Sequence, residues 1–161
     1  MQPVNVRGLR IGEGMPKVCI PLTSARTRQL CLDAEVAAQQ ADMLEWRLDC
    51  FDEGGIDAVC AAADLLRQRV RCPLLVTFRT AKEGGERSIS PAEYAGLYSA
   101  LLLRQAADLI DIELTQEEEV IRTLIEQAHA AGAKVIISSH DFDQTPALEE
   151  MCNRLQRMEA L

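Results

Sequence analysis

At 161 residues, with 48% hydrophobic and 26% charged side chains, the chain is long enough to bury the core of one domain and too apolar for a disordered segment. No run reaches the roughly 18 uninterrupted apolar residues of a membrane helix, and Met1 to Arg10 lacks the apolar stretch of a secretion signal, so no membrane partner and a cytoplasmic location are expected. A formal charge of -8 opposes general affinity for nucleic acid or anionic membranes, which both call for a basic face; an anionic ligand would need local arginines.

Val4 to Gly12 alternates apolar and polar residues with glycines at turn positions, which predicts a short hairpin within residues 1–15, placed to plug the base of a sheet or barrel. From residue 17 onward, apolar runs of strand length alternate with longer segments of helical period. Strands are predicted near Lys17 to Leu22, Met43 to Leu48, Pro73 to Arg79, Leu109 to Leu114 and Lys134 to Ser139. Helices are predicted near Thr27 to Gln40, Ile56 to Val70, Pro91 to Gln105, Glu117 to Ala131 and Pro146 to Met158. This is an α/β chain of five βα units, a parallel sheet covered by helices, in a single domain spanning residues 1–161.

Several boundaries carry their own chemistry. Ser90, Pro91 and Glu93 combine an N-cap serine, a proline in the first turn and a capping-box glutamate. Thr115 with Glu118 reads as a second box, and Thr145-Pro146 as a third helix start. Gly132 stands where a helix ends before the next strand. The six cysteines contain no CxxC pair and fall mostly in apolar surroundings, which favours buried reduced thiols over disulfides or zinc.

Parallel βα folds bind ligands at the carboxyl ends of their strands, and there the charged residues cluster. Glu45 and Arg47, two apart at the end of the second strand, project to one side and leave Trp46 against the helices. Arg79 ends the third strand, Glu83 lies in the loop with Gly84 and Gly85, Asp111 and Glu113 lie on the fourth strand, and His140 ends the fifth. Each also has a plain structural reading: a Glu45–Arg47 ion pair, an Arg79 pair with Glu83 or Glu86, carboxylates serving nearby arginines, a structural histidine. His129 reads as a surface residue. Together the two arginines, a free carboxylate and a histidine suit a small hydroxylated carboxylate on which a proton is moved. The Gly84-Gly85 loop has no phosphate-binding spacing, and no serine or cysteine nucleophile arrangement is evident. A metal-dependent enzyme using Glu45, Asp111, Glu113 and His140 as ligands is a competing reading.

Four motifs in order, Glu45-Trp46-Arg47, Thr77-Phe78-Arg79-Thr80 with Lys82-Glu83-Gly84-Gly85, Ala107 to Leu114 and Ser139-His140-Asp141-Phe142, resemble type I 3-dehydroquinate dehydratase, the Schiff-base dehydratase of the shikimate pathway. The resemblance implies a TIM (β/α)8 barrel that removes water from 3-dehydroquinate, its small-molecule substrate, to give 3-dehydroshikimate without metal or organic cofactor. It makes His140 the general acid/base beside a lysine imine, Glu83 and Asp111 parts of the catalytic group with Asp111 orienting His140, and Glu45, Arg47 and Arg79 substrate-binding residues. In the family the imine lysine lies on the sixth strand. The lysines here are Lys17, Lys82 and Lys134, none at that position. Since such a barrel takes about 250 residues, five of eight units are expected here, as an incomplete barrel that exposes edge strands and favours a homo-oligomer through the barrel or its open edge. The alternative is an inactive barrel that binds a small carboxylate or a partner chain.

Overall fold

In the computed structural model, which describes residues 2–161, a two-stranded antiparallel hairpin of β1 (Val4–Val6) and β2 (Leu9–Ile11) precedes five strand-helix units. The strands β3 (Cys19–Leu22), β4 (Met43–Arg47), β5 (Leu74–Thr77), β6 (Leu109–Glu113) and β7 (Lys134–Ser138) pair in parallel in chain order. Each is followed by a helix: α1 (Thr27–Ala37), α2 (Gly55–Arg69), α3 (Pro91–Leu103), α4 (Glu118–Ala130) and α5 (Leu148–Glu159).

Strand alternation divides the side chains between two environments. Leu44 and Trp46, Leu74 and Val76, Ile110 and Ile112 face the helices and join the main core with Leu66, Tyr98, Leu101 and Leu124. Trp46 is fully buried there and meets Phe51 edge-on, with ring centres 5.2 Å apart. The other set forms the inner face. Strand register aligns Glu45, Leu75, Leu109 and Lys134 in one row and Arg47, Thr77, Asp111 and Ile136 in the next.

At the start of the strands, Met43, Leu75 and Leu109 close over Val6, with Leu9 and Ile11 packed alongside, so the hairpin plugs the base as expected. Burying each such side chain contributes about 1.5–3 kcal/mol. Asp108 fastens the plug to the sheet. It accepts the Leu74 amide at 2.8 Å and pairs with Arg67, and Arg7 in the hairpin turn lies 3.6 Å away.

Local signals were honoured unevenly. The Ser90 box forms, with Glu93 N–H donating to Ser90 Oγ at 3.3 Å and Ser90 N–H to Glu93 at 3.2 Å. Gly132 takes the left-handed conformation after α4. The box expected of Thr115 and Glu118 does not form: Glu117 occupies the cap position and the Thr115 hydroxyl donates instead to Glu83, a buried carboxylate and a stronger acceptor. α5 starts at Leu148 with Ala147 as its cap, two residues past Pro146. Cys31 and Cys60 are buried, but Cys19 and Cys152 are exposed, contrary to the expected burial, because the inner face at β3 and the outer face of α5 are uncovered; all six thiols are free. Among the described residues β3 and β7 each pair on one side only, and α5 leaves Leu148 and Leu155 exposed.

Candidate active site

The inner face changes character at the carboxyl ends of the strands. β5 stops at Thr77 and β7 at Ser138, so Arg79 and His140 stand two residues past the strands on which they were expected. Both still face the inner side, Arg79 against Asp111 and Ser138 and His140 against Glu83.

Arg79 is the centre of this end. Its buried guanidinium donates through Nη1 to Glu113 at 3.2 Å and to Ser138 Oγ at 3.0 Å, and lies 3.5 Å from Glu83; Nη2 reaches Asp111 at 3.3 Å. One cation thus serves three buried carboxylates. Glu113 is further satisfied by the Thr80 amide at 2.8 Å and the Thr80 hydroxyl at 2.7 Å. Asp111 accepts from Ser138 Oγ at 2.7 Å, yet burial pushes its pKa up against the help of Ser138 and Arg79. The Tyr98 hydroxyl receives the Phe78 amide at 2.8 Å and donates to the Asp111 carbonyl at 2.7 Å, binding the end of β5 to β6 from the helix side.

Glu83 sits on the 3-10 turn Ala81–Glu83 and holds His140 twice through one oxygen: the backbone N–H donates at 3.1 Å and Nδ1 lies 2.9 Å away. Thr115 Oγ1 donates to the other oxygen at 2.8 Å. An ionised Glu83 only accepts, so Nδ1 carries the proton and Nε2 of a neutral ring is the nitrogen that can accept one. The orienting contact expected of Asp111 is therefore made by Glu83. Asp111 lies deeper on β6 and is engaged by Ser138 and Arg79, whereas the turn lifts Glu83 to the level of His140.

Glycine makes that turn possible. Gly84 ends it at φ +83° with the Phe142 ring against its α-carbon, and a Cβ on Gly85 would overlap the Arg79 carbonyl. Phe142 also stands parallel to His140, with 9° between the planes and 6.3 Å between centres.

Glu45 and Arg47 share the inner face as expected, but they do not pair. Arg47 grips Asp49 through Nε at 2.8 Å and Nη2 at 2.7 Å, while half-buried Glu45 makes no hydrogen bond among the described residues. Arg79 does not pair with Glu86. Among the described residues no three His, Cys, Asp or Glu side chains gather as metal ligands, and two of the three carboxylates of the metal reading are engaged: Glu113 by Thr80 and Arg79, Asp111 by Ser138 and Arg79. Lys17 precedes β3 and Lys134 opens β7, at the end opposite His140, and Lys82 is exposed on the turn. His129 is exposed on α4. Sequence reasoning missed Asp49, Thr115, Ser138 and Arg87 as builders of this end. For Asp49 a signal existed, a carboxylate two residues past Arg47 after an apolar strand.

The model of the type I 3-dehydroquinase family matches residues 18–161. The chain belongs to that family. The 3-dehydroquinate dehydratase of Bacillus licheniformis is 44% identical over 161 residues, covering 98% of this chain and 63% of the relative. The corresponding protein of Syntrophotalea carbinolica is 42% identical, covering all of this chain and 65% of the relative. Among solved structures, a type I 3-dehydroquinate dehydratase from Clostridium difficile superimposes with a TM-score of 0.94 at 38% identity, over 99% of this chain and 64% of that one. The Enterococcus faecalis enzyme gives 0.93 at 40% identity, over 98% and 67%. The chain thus spans just under two thirds of the length of the curated relatives it matches, and its five βα units are units of the family's TIM barrel.

Proposed function

We propose that this end of the sheet binds 3-dehydroquinate and moves a proton on it, as the acid/base and carboxylate-binding part of a 3-dehydroquinate dehydratase in a single partial barrel domain of residues 1–161. The observation that carries the reading is the Glu83–His140 contact, which fixes a histidine tautomer beside the buried Arg79 and the half-buried Arg47. Relatives bearing that name support the substrate.

In this reading Arg47, Arg79 and Glu45 place the substrate through its carboxylate and hydroxyl oxygens. The substrate ketone forms an imine with a lysine, losing water, and the protonated imine acidifies the neighbouring C–H. His140 Nε2 takes that proton, the C–H electron pair moves toward the imine as an enamine, and its return expels the hydroxyl on the next carbon. His140 gives its proton to that leaving oxygen, so water departs. Hydrolysis of the imine frees 3-dehydroshikimate and the lysine. Glu83 holds Nδ1–H and stabilises the imidazolium between the two transfers. Lys17 and Lys134 stand at the end opposite His140, and Lys82, exposed on the turn that carries Glu83, matches a different family position, so in this reading the imine belongs to a lysine other than these three.

Calorimetric titration of the chain with 3-dehydroquinate, followed by borohydride and mass measurement, tests this. Binding that is lost in Arg47→Ala, with no reduced adduct on the chain, is expected. Failure to bind 3-dehydroquinate sinks the substrate assignment, and an adduct on Lys82 sinks the assignment of the imine to an outside lysine.

A further inference from the structure

Arg47 is held by a residue for which the proposed chemistry has no use. Asp49 is buried on the 3-10 turn Leu48–Cys50, and each of its oxygens accepts from two N–H donors. Oδ1 receives Arg47 Nε at 2.8 Å and the Arg79 amide at 3.3 Å. Oδ2 receives Arg47 Nη2 at 2.7 Å and the Glu86 amide at 3.1 Å. The donors belong to two segments, the end of β4 and the loop after β5, so one carboxylate sets both the Arg47 side chain and the backbone that launches Arg79.

The loop returns the hold. Arg87, next after Glu86, donates to the carbonyls of Leu48 at 2.7 Å, Asp49 at 2.8 Å and Phe51 at 2.6 Å, clamping the turn that carries Asp49. Its guanidinium lies 5.9 Å from the centre of the Phe78 ring. A turn fixed only for stability would be served by Arg87 alone. The two-point grip on Arg47, whose side chain keeps 24% of its surface exposed, settles instead where a guanidinium at the mouth points. With Nε and Nη2 taken, Nη1 is the nitrogen without a partner among the described residues.

We infer that Asp49 is a positioning residue for substrate binding: locked in place by Arg87, it fixes the guanidinium of Arg47 so that Nη1 meets a substrate oxygen. This inference rests on reading Arg47 as a substrate-binding residue of a dehydratase. Asparagine cannot replace Asp49, because its amide nitrogen would face two N–H donors whichever way it turned.

The test pairs a spectroscopic reading with a binding one on the 161-residue chain. In proton–nitrogen NMR the Arg47 Nε–H signal, assigned by its loss in Arg47→Lys, is expected to exchange slowly with water. Asp49→Asn should abolish that protection and weaken 3-dehydroquinate binding by about tenfold or more. A protected Arg47 signal in Asp49→Asn, or unchanged affinity, overturns the inference. If Asp49→Asn lacks a folded spectrum, Arg87→Gln decides, since it leaves the carboxylate and its four N–H donors intact while loosening the turn: faster Arg47 exchange and weaker binding support the role, and no change in either overturns it. Failure of the unaltered chain to bind 3-dehydroquinate sinks the dehydratase reading and this role with it, whereas binding that Asp49→Asn leaves intact sinks the positioning role alone.

Discussion

The two ends of the inner face are built from the same strands and the same alternation, yet they are held by opposite physics. At the base, Val6, Met43, Leu75 and Leu109 pack a dry plug whose strength depends on volume and not on direction. At the mouth, Arg79, Glu83, Asp111 and Glu113 are equally buried but depend on charge balance and on individual hydrogen bonds. The base can absorb an exchange of one apolar side chain for another of similar size. The mouth cannot lose its cation without leaving three carboxylates facing one another.

The largest effect should therefore come from Arg79→Met. Removing one partner from a buried ionic group costs about 3–5 kcal/mol, and urea denaturation at neutral pH should show that loss together with abolished 3-dehydroquinate binding. Adding Asp111→Asn should recover part of the stability without restoring binding, since one of the uncompensated charges is gone. At the base, Leu75→Ala should cost about 2–4 kcal/mol through its cavity and leave ligand affinity nearly unchanged. If Leu75→Ala weakened binding as much as stability, the two ends would not be separable.

What was legible in the sequence divides along the same line. The strands, the helices and the plug were readable because each rests on local periodicity, and the shared inward face of Glu45 and Arg47 follows from a spacing of two. At the mouth the Arg79–Glu83 pair and the service of Asp111 and Glu113 to an arginine were readable, but other partners that join residues far apart in the chain were not: Thr115 to Glu83, Asp49 to the Glu86 amide. Spacing says which way a side chain leaves the strand but not how far a turn lifts it, so nothing local showed that Glu83 on its 3-10 turn would lie against His140, a contact the resemblance had implied for Asp111. Thr115 misled for a related reason. Its sequence context is that of a cap, and only the fold brings a buried carboxylate within reach.

Acidity offers a finer separation. Asp49 is penalised by burial, but the hydrogen bonds from Arg47 and from the Glu86 and Arg79 amides outweigh it and hold the carboxyl below its ordinary value. Its contribution is thus present at neutral pH and is lost as pH falls below about 4, the ordinary aspartate value, through its lower folded value. Asp111 runs the other way. With its folded value raised by burial, its favourable share belongs to the protonated form and is lost as pH rises through that value. In urea denaturation across the acid range, Asp49→Asn should flatten the fall in stability toward low pH, and Asp111→Asn should flatten the loss on the neutral side. Parallel curves for both variants and the unaltered chain would show that neither carboxylate has the assigned environment.

The smallest effect locates the border between the two ends. Thr77 lies on the inner face one row above Leu75, fully buried, and its hydroxyl has no hydrogen-bond partner among the described residues. Arg47 and Asp111 are its neighbours across the sheet, but both turn their polar atoms elsewhere, to Asp49 and to Ser138 with Arg79. A buried hydroxyl without a partner carries its desolvation cost uncompensated, so Thr77→Val, which keeps the shape and removes the polar atom, should raise stability by about 1 kcal/mol or leave it unchanged. Thermal denaturation reads this directly. A clear loss of stability would mean that the hydroxyl belongs to the polar network, which Asp111 and Arg47 already bring into this row, and that no side chain of the row directly above Leu75 and Leu109 from β4 to β6 stands outside it.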